Sequence, residues 1–248
     1  MTWHDAPLWV LATIAAHALA TNAWWWLRVT PSGTGRPARF VRRATGPGPR
    51  SAIRAAYLLG PPAAALWLRV VSPEWLGLAA PSGAGAGVTA ATMGMAGALT
   101  ALGANWWYRR ADGRQLPRPR APELAAIGWI ALYAALLEAH WAFFRAGALA
   151  TGLDPISAGL GAGLGLLCIE SWSSPFARAR LSEPASAATL VPTATAAVVS
   201  AYTFATTGSS LLAWGIHAAM MVGLATVLPG AGRPAAAADR EPVEPMVV

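Results

Sequence analysis

The sequence has no lysine, one cysteine and few charges of either sign, and each shortage excludes something. Charged residues make up 12% of the 248 positions, where a soluble domain carries about 25%. That excludes an ordinary water-soluble globule. The lone Cys168 sits inside an apolar run, so neither a disulfide framework nor a cysteine-based zinc site can be built. All 18 basic residues are arginine. With the alanine, glycine and proline load, this reads as the coding bias of a GC-rich genome and carries no mechanism. The opening MTWHDAPLW lacks a basic stretch followed by a small-residue cleavage site, so the first apolar run is predicted to be retained. A formal charge of +7 raises the question of nucleic acid. The arginines, however, fall in short loops between apolar runs, a distribution set by membrane topology rather than by a DNA-binding face.

What the chain does have is apolar length. Hydrophobic residues reach 55% and mean hydropathy is +0.44. Crossing the hydrocarbon core takes about 20 such residues. Seven runs qualify, roughly 7–27, 55–73, 84–107, 122–149, 156–175, 186–206 and 209–229. The expectation is an all-α polytopic membrane protein, a single transmembrane domain over 1–229 with a disordered cytoplasmic tail from 230 to 248. Arg36 to Arg54, Arg109 to Arg120, Arg178, Arg180, Arg233 and Arg240 lie on alternate connections, and Glu74 and Asp154 on the others. The positive-inside rule then puts the N-terminus outside and the C-terminus in the cytoplasm of a cell membrane. Only Arg69 and Arg145 do not fit a cytoplasmic position. Thr30 to Arg50 reads as a flexible Gly/Pro/Arg loop lying on an anionic leaflet. Trp24, Trp25, Trp26, Trp106 and Trp107 sit at span ends as an interfacial belt. The glycines of GAGAG (83–87) and GLGAGLG (159–165) lack the strand-then-helix setting of a phosphate loop and are expected to serve close helix packing.

Ionisable residues inside spans are costly unless paired, so each marks a candidate site. They are His17, Glu138, His140, Arg145, Glu170 and His217. His17 stands alone in the first run and is expected to be a neutral histidine bonded to a neighbouring helix. The other five fall on the fourth, fifth and seventh runs and can satisfy one another only if those helices meet. At about 1.5 Å rise per residue, His217, Glu170 and His140 lie about 12, 21 and 15 Å from the outer ends of their helices. Helix tilt would let them share a centre.

These residues carry a resemblance. TTGSSLLAWGIHAAMMVGL (206–224) resembles the third motif of the CAAX-protease and bacteriocin-processing (CPBP, or Abi) intramembrane proteases, where a Thr-Gly-Ser helix start leads to a buried His and then Asn or Asp. HWAFFRAGAL (140–149) resembles the first motif, Glu-Glu-x-x-x-Arg-Gly, with Arg145 at the arginine. GLGLLCIES (163–171) stands where the second, Phe-x-x-x-His, belongs. The similarity covers about Glu123 to Leu228. The departures are His140 and Trp141 for the paired glutamates, Leu166 and Glu170 for Phe and His, and Met221 for Asn or Asp. Glu and His have been traded between two motifs, which differs from the Ala, Leu or Ser that decay leaves.

The resemblance implies hydrolysis of a peptide bond in a membrane-associated or prenylated protein by a Glu/His-activated water. Glu170 would be the base, His140 its partner, His217 a stabiliser of the oxyanion, and Arg145 a carboxylate partner holding helix geometry. Glu138 shares a helix face with Arg145, seven residues on, and lies about 200° from His140. Either His140 is the site residue and Glu138 pairs elsewhere, or Glu138 has taken over the lost glutamate's task. The spacing of HWAFFRAG to Arg145 favours the first. His140, His217 and Glu170 also form a possible two-His, one-carboxylate zinc set, without the close His-Glu-x-x-His spacing. Partners are then membrane lipid and a membrane-associated protein or peptide, with no nucleic acid. A catalytically inactive relative acting as a membrane scaffold or binding protein is the rival. A small transporter is disfavoured by the single polar centre and the absence of inverted repeats.

Overall fold

The computed structural model describes residues 5–29, 47–78, 85–111, 122–182 and 184–227. Among them the regular structure is helical throughout, in the order α1 (Ala6–Val29), α2 (Pro47–Trp67), α3 (Ala86–Ala111), α4 (Leu124–Leu149), a π-helical segment (Ser157–Gly163) running directly into α5 (Leu164–Ser173), α6 (Pro175–Leu181), α7 (Pro184–Thr207) and α8 (Ser210–Val227). Pro47, Pro175 and Pro184 each open a helix, where a missing N–H costs nothing. Between α7 and α8 the chain turns on Gly208, at φ +66°. Ser209 then accepts the Leu212 N–H through its hydroxyl and caps α8.

Among the described residues, four helical stretches are long and apolar enough to cross a membrane: Ala6–Leu27, Ala86–Trp107, Leu124–Leu149 and Ser210–Val227. Their outward residues match that role. Leu8, Leu19, Val88, Met95, Leu99 and Leu132 are exposed, while Glu138, His140, Arg145, Glu170 and His217 are buried. An apolar exterior around a polar interior is the arrangement of a helical membrane protein.

The other three expected runs also carry helices, with altered limits. The run expected over 55–73 begins earlier, so Pro47–Arg50, read from sequence as loop, form the first turn of α2. It also ends earlier, at Trp67, where Arg69 adopts φ 56° and the chain folds back to bury Val70, Val71 and Leu76. Pro61 and Pro62 within α2 and Pro192 within α7 each remove a helical hydrogen bond. The expected loop over 30–46 and the expected tail from 230 lie outside the described residues.

Helix α4 is the hub. It packs on α1, α2, α8 and the π-helical segment, while α3, α7 and α8 pack on one another. One apolar cluster joins Phe143 and Phe144 to Val10, Ile14 and Ala65. A second joins Leu137 and Trp141 to Val199, Met220, Met221 and Leu224.

The glycines divide. Gly159 and Gly163 pack against backbone, whereas Gly161 and Gly165 face open space. Gly85 and Gly87 also meet nothing, which corrects the packing role expected for GAGAG among its described residues. A methyl group at Gly163 would stand 2.7 Å from the Ala158 carbonyl oxygen and 3.1 Å from Arg145 Cγ. Gly163→Ala is therefore expected to cost about 1–3 kcal/mol through overpacking and to lower the melting temperature by several degrees. Gly161→Ala should leave it unchanged or slightly raised. Paired melting curves in detergent check this.

Ahead of the π-helical segment, Asp154 accepts the Ile156 and Ser157 N–H groups at 2.9 and 3.1 Å and the Ser157 hydroxyl at 2.6 Å. The Ser157 hydroxyl first, then these N–H donors, hold its carboxyl below the ordinary value. Bonds to the ionised form are complete above the ordinary carboxylate range and fade as pH falls through the depressed one. Hydrogen-exchange protection at Ile156 and Ser157 should drop on acidification in that window.

Candidate functional site: two buried polar groups around α4

Glu138 and His140, two residues apart and so about 200° around α4, point to different neighbours. His140 Nε2 lies 3.0 Å from Glu170 Oε1 and 3.1 Å from Oε2, bringing α4 and α5 together. The Tyr57 hydroxyl of α2 donates to Glu170 Oε1. From α1, His17 Nδ1 stands 3.9 Å from the same oxygen. The rings are in contact as well: His17 and Tyr57 centroids are 4.8 Å apart, Tyr57 and His140 5.0 Å, His140 and Phe144 4.5 Å. His140 is 1% exposed and Glu170 8%, so this is an interior cluster drawn from four helices.

Two of its members differ from expectation. His17, expected to stand apart from the other five as a neutral histidine bonded to a neighbouring helix, faces Glu170 of this centre. Tyr57, one turn after Arg54 at the start of an apolar run, carries no local mark of this contact. Only the contact of α1 and α2 with the α4–α5 pair gives either residue a partner.

The second group lies on the other side of α4. Arg145 donates to Glu138 and, at 3.0 Å each, to the hydroxyls of Ser200 on α7 and Ser210 on α8. Ser200 in turn donates to Glu138 Oε2 at 2.6 Å. The guanidinium carbon lies 4.6 Å from the Phe204 ring centroid, adding a cation–π contact. The second of the two sequence alternatives for Glu138, a place in the Glu170 centre, is therefore not the one the fold adopts. Ser200 and Ser210 were not foreseen. Ser210 falls one residue past the Thr-Gly-Ser helix start, and Ser200 stands in a run of small residues with no local mark.

His217 departs most from expectation. Its ring stacks on Trp141, with centroids 5.0 Å apart and planes 3° from parallel. The carboxylate whose charge reaches it is Glu138. Neither a hydrogen bond nor an ion pair joins it to His140 or Glu170. The single centre expected from His140, Glu170 and His217 is thus two groups sharing one helix. The reason is helical phase, since Trp141 lies about 100° around α4 from His140 and holds the imidazole on the Glu138 side. Met221, at the motif's Asn or Asp position, is buried in the second apolar cluster. The zinc set does not assemble either. Among the described residues no three His, Cys, Asp or Glu side chains are placed to hold a metal.

Among the described residues, four buried polar atoms lack a hydrogen-bond partner: His140 Nδ1, His217 Nδ1, Arg145 Nε and Thr203 Oγ1. With Glu170 ionised the carboxylate only accepts, so His140 carries its proton on Nε2 and presents a bare lone pair at Nδ1. The His140–Glu170 group therefore combines an acceptor carboxylate with an imidazole whose Nδ1 is buried without a partner.

No family model matches the chain, and no curated protein or solved structure matches it.

Proposed function

We propose that this protein is an intramembrane endopeptidase of the CAAX-protease-like type, cleaving a membrane-associated or prenylated protein with a water activated by Glu170 and His140. The observation that carries this reading is the His140–Glu170 contact between α4 and α5. These are the two positions at which the family's glutamate and histidine are exchanged, and they meet in a buried site. The same reading takes the chain to cross a bacterial cell membrane seven times, N-terminus outside and C-terminus in the cytoplasm, as its arginine distribution favours.

In the reaction, Glu170 takes a proton from water while the water oxygen adds to the carbonyl carbon of the peptide bond. The proton then passes from Glu170 to the departing amine nitrogen as the C–N bond breaks. His140 orients Glu170 through Nε2–H. Glu138, Arg145, Ser200 and Ser210 hold α4, α7 and α8 in the arrangement that brings the pair together, and His217 belongs with them. No step passes through a metal.

A second reading draws on the closure of the Glu138–Arg145–Ser200–Ser210 network. Such a network serves a membrane scaffold equally well, in a protein that binds a partner without cleaving it. Quenched fluorogenic peptides, one prenylated and one transmembrane, separate the two when incubated with purified protein in bilayers. Cleavage by the wild type that is lost in Glu170→Gln supports the protease. No cleavage of either peptide, with variants that change only thermal stability, supports the scaffold.

A further inference from the structure

The two oxygens of Glu170 are unequally engaged. Oε1 receives the Tyr57 hydroxyl, lies 3.0 Å from His140 Nε2 and 3.9 Å from His17 Nδ1. Among the described residues, Oε2 has His140 Nε2 alone, at 3.1 Å. A carboxylate oxygen offers about two lone-pair directions, so Oε1 is filled and Oε2 keeps one open.

From this asymmetry we infer that Tyr57 is a positioning residue of the Glu170 centre: its hydroxyl pins Oε1, leaving Oε2 as the oxygen that takes the proton from water. The assignment of the proton rests on the protease reading above, whereas the pinning does not. The hydroxyl is suited to this because a rotating carboxylate would present either oxygen, and a phenol donor fixed by ring contacts to His17 and His140 holds one of them in place. Among the described residues, the charged and titratable groups that act on the carboxylate are His17 from α1, Tyr57 from α2 and His140 from α4, while Arg54 of α2 acts on His17. Of the described residues, only Tyr57 and His140 reach it within hydrogen-bond distance.

Tyr57→Phe keeps the ring and removes only the donor, so it separates positioning from packing. Its kcat on the fluorogenic peptides should fall about 10- to 100-fold, the worth of one hydrogen bond to a charged group, with KM and melting temperature held. Tyr133→Phe, which removes a hydroxyl elsewhere in the bundle, should leave kcat unchanged. Infrared spectra of protein labelled with ¹³C-glutamate supply a readout free of activity. The carboxylate bands missing from Glu170→Gln identify this residue, and their symmetric–antisymmetric splitting should change in Tyr57→Phe. Wild-type kcat together with unaltered Glu170 bands in Tyr57→Phe overturns the proposal. If the wild type cleaves neither peptide, the protease reading and the assignment of Oε2 as proton acceptor fall, and the band splitting alone decides whether Tyr57 pins the carboxylate.

Discussion

Arg145→Met is expected to destabilise the protein by about 3–5 kcal/mol, the cost of leaving one partner of a buried ion pair unpaired. Arg145 is 2% exposed and Glu138 3%. Removing the guanidinium would leave the carboxylate with the Ser200 hydroxyl alone, in surroundings that cannot hydrate it. The loss should appear as a melting temperature in detergent lower by on the order of 10 °C. Arg145→Lys should recover only part of it. An ammonium is a point donor, whereas the guanidinium fork reaches Glu138, Ser200 and Ser210 at once. The double replacement Glu138→Leu with Arg145→Met should be milder than Arg145→Met alone, because it leaves no unpaired charge. A single variant that melts with the wild type would mean that water reaches this network. Its role in holding α4 against α7 and α8 would then fail.

Glu170→Gln is expected to remove peptide hydrolysis while the fold survives. The amide oxygen still accepts from Tyr57 or His140, so the contact between α2, α4 and α5 is weakened rather than broken, but an amide cannot take a proton from water. Positioned proton transfer is worth about 10²–10⁴-fold in rate, so single-turnover cleavage should drop by about that factor. His140→Ala should reduce it by a smaller margin, since the base remains and only its orientation is lost. His217→Ala should act differently. Because His217 stacks on Trp141 and feels Glu138, its loss should lower thermal stability more than it lowers the cleavage rate. A Glu170→Gln protein retaining more than about a tenth of wild-type cleavage could not have lost its general base.

The relation among Glu138, His140 and Arg145 follows from the helix itself. Seven residues bring Arg145 back over Glu138, and two residues swing His140 away; the bonds to Ser200 on one side and Glu170 on the other follow that phase. The helical membrane class is legible for a similar reason, because apolar length and scarce charge are properties of consecutive residues. Helix limits are less so. Nothing in the apolar run over 55–73 marks the turn at Arg69 that ends α2 early.

Helix rotation was beyond reach. His17 and Tyr57 became members of the Glu170 cluster, and His217 left it, because α1, α2 and α8 settle at rotational positions chosen by packing against α4. Those positions depend on Val10 and Ile14 fitting Phe143 and Phe144, and on Met220, Met221 and Leu224 fitting Leu137 and Trp141. The sequence by itself determined which polar residues had to be buried in the membrane and which of them shared a face of one helix. The tertiary structure alone decided which met across helices, since the phase within a helix is set by covalent geometry and the phase between helices by interlocking side chains distant in the chain.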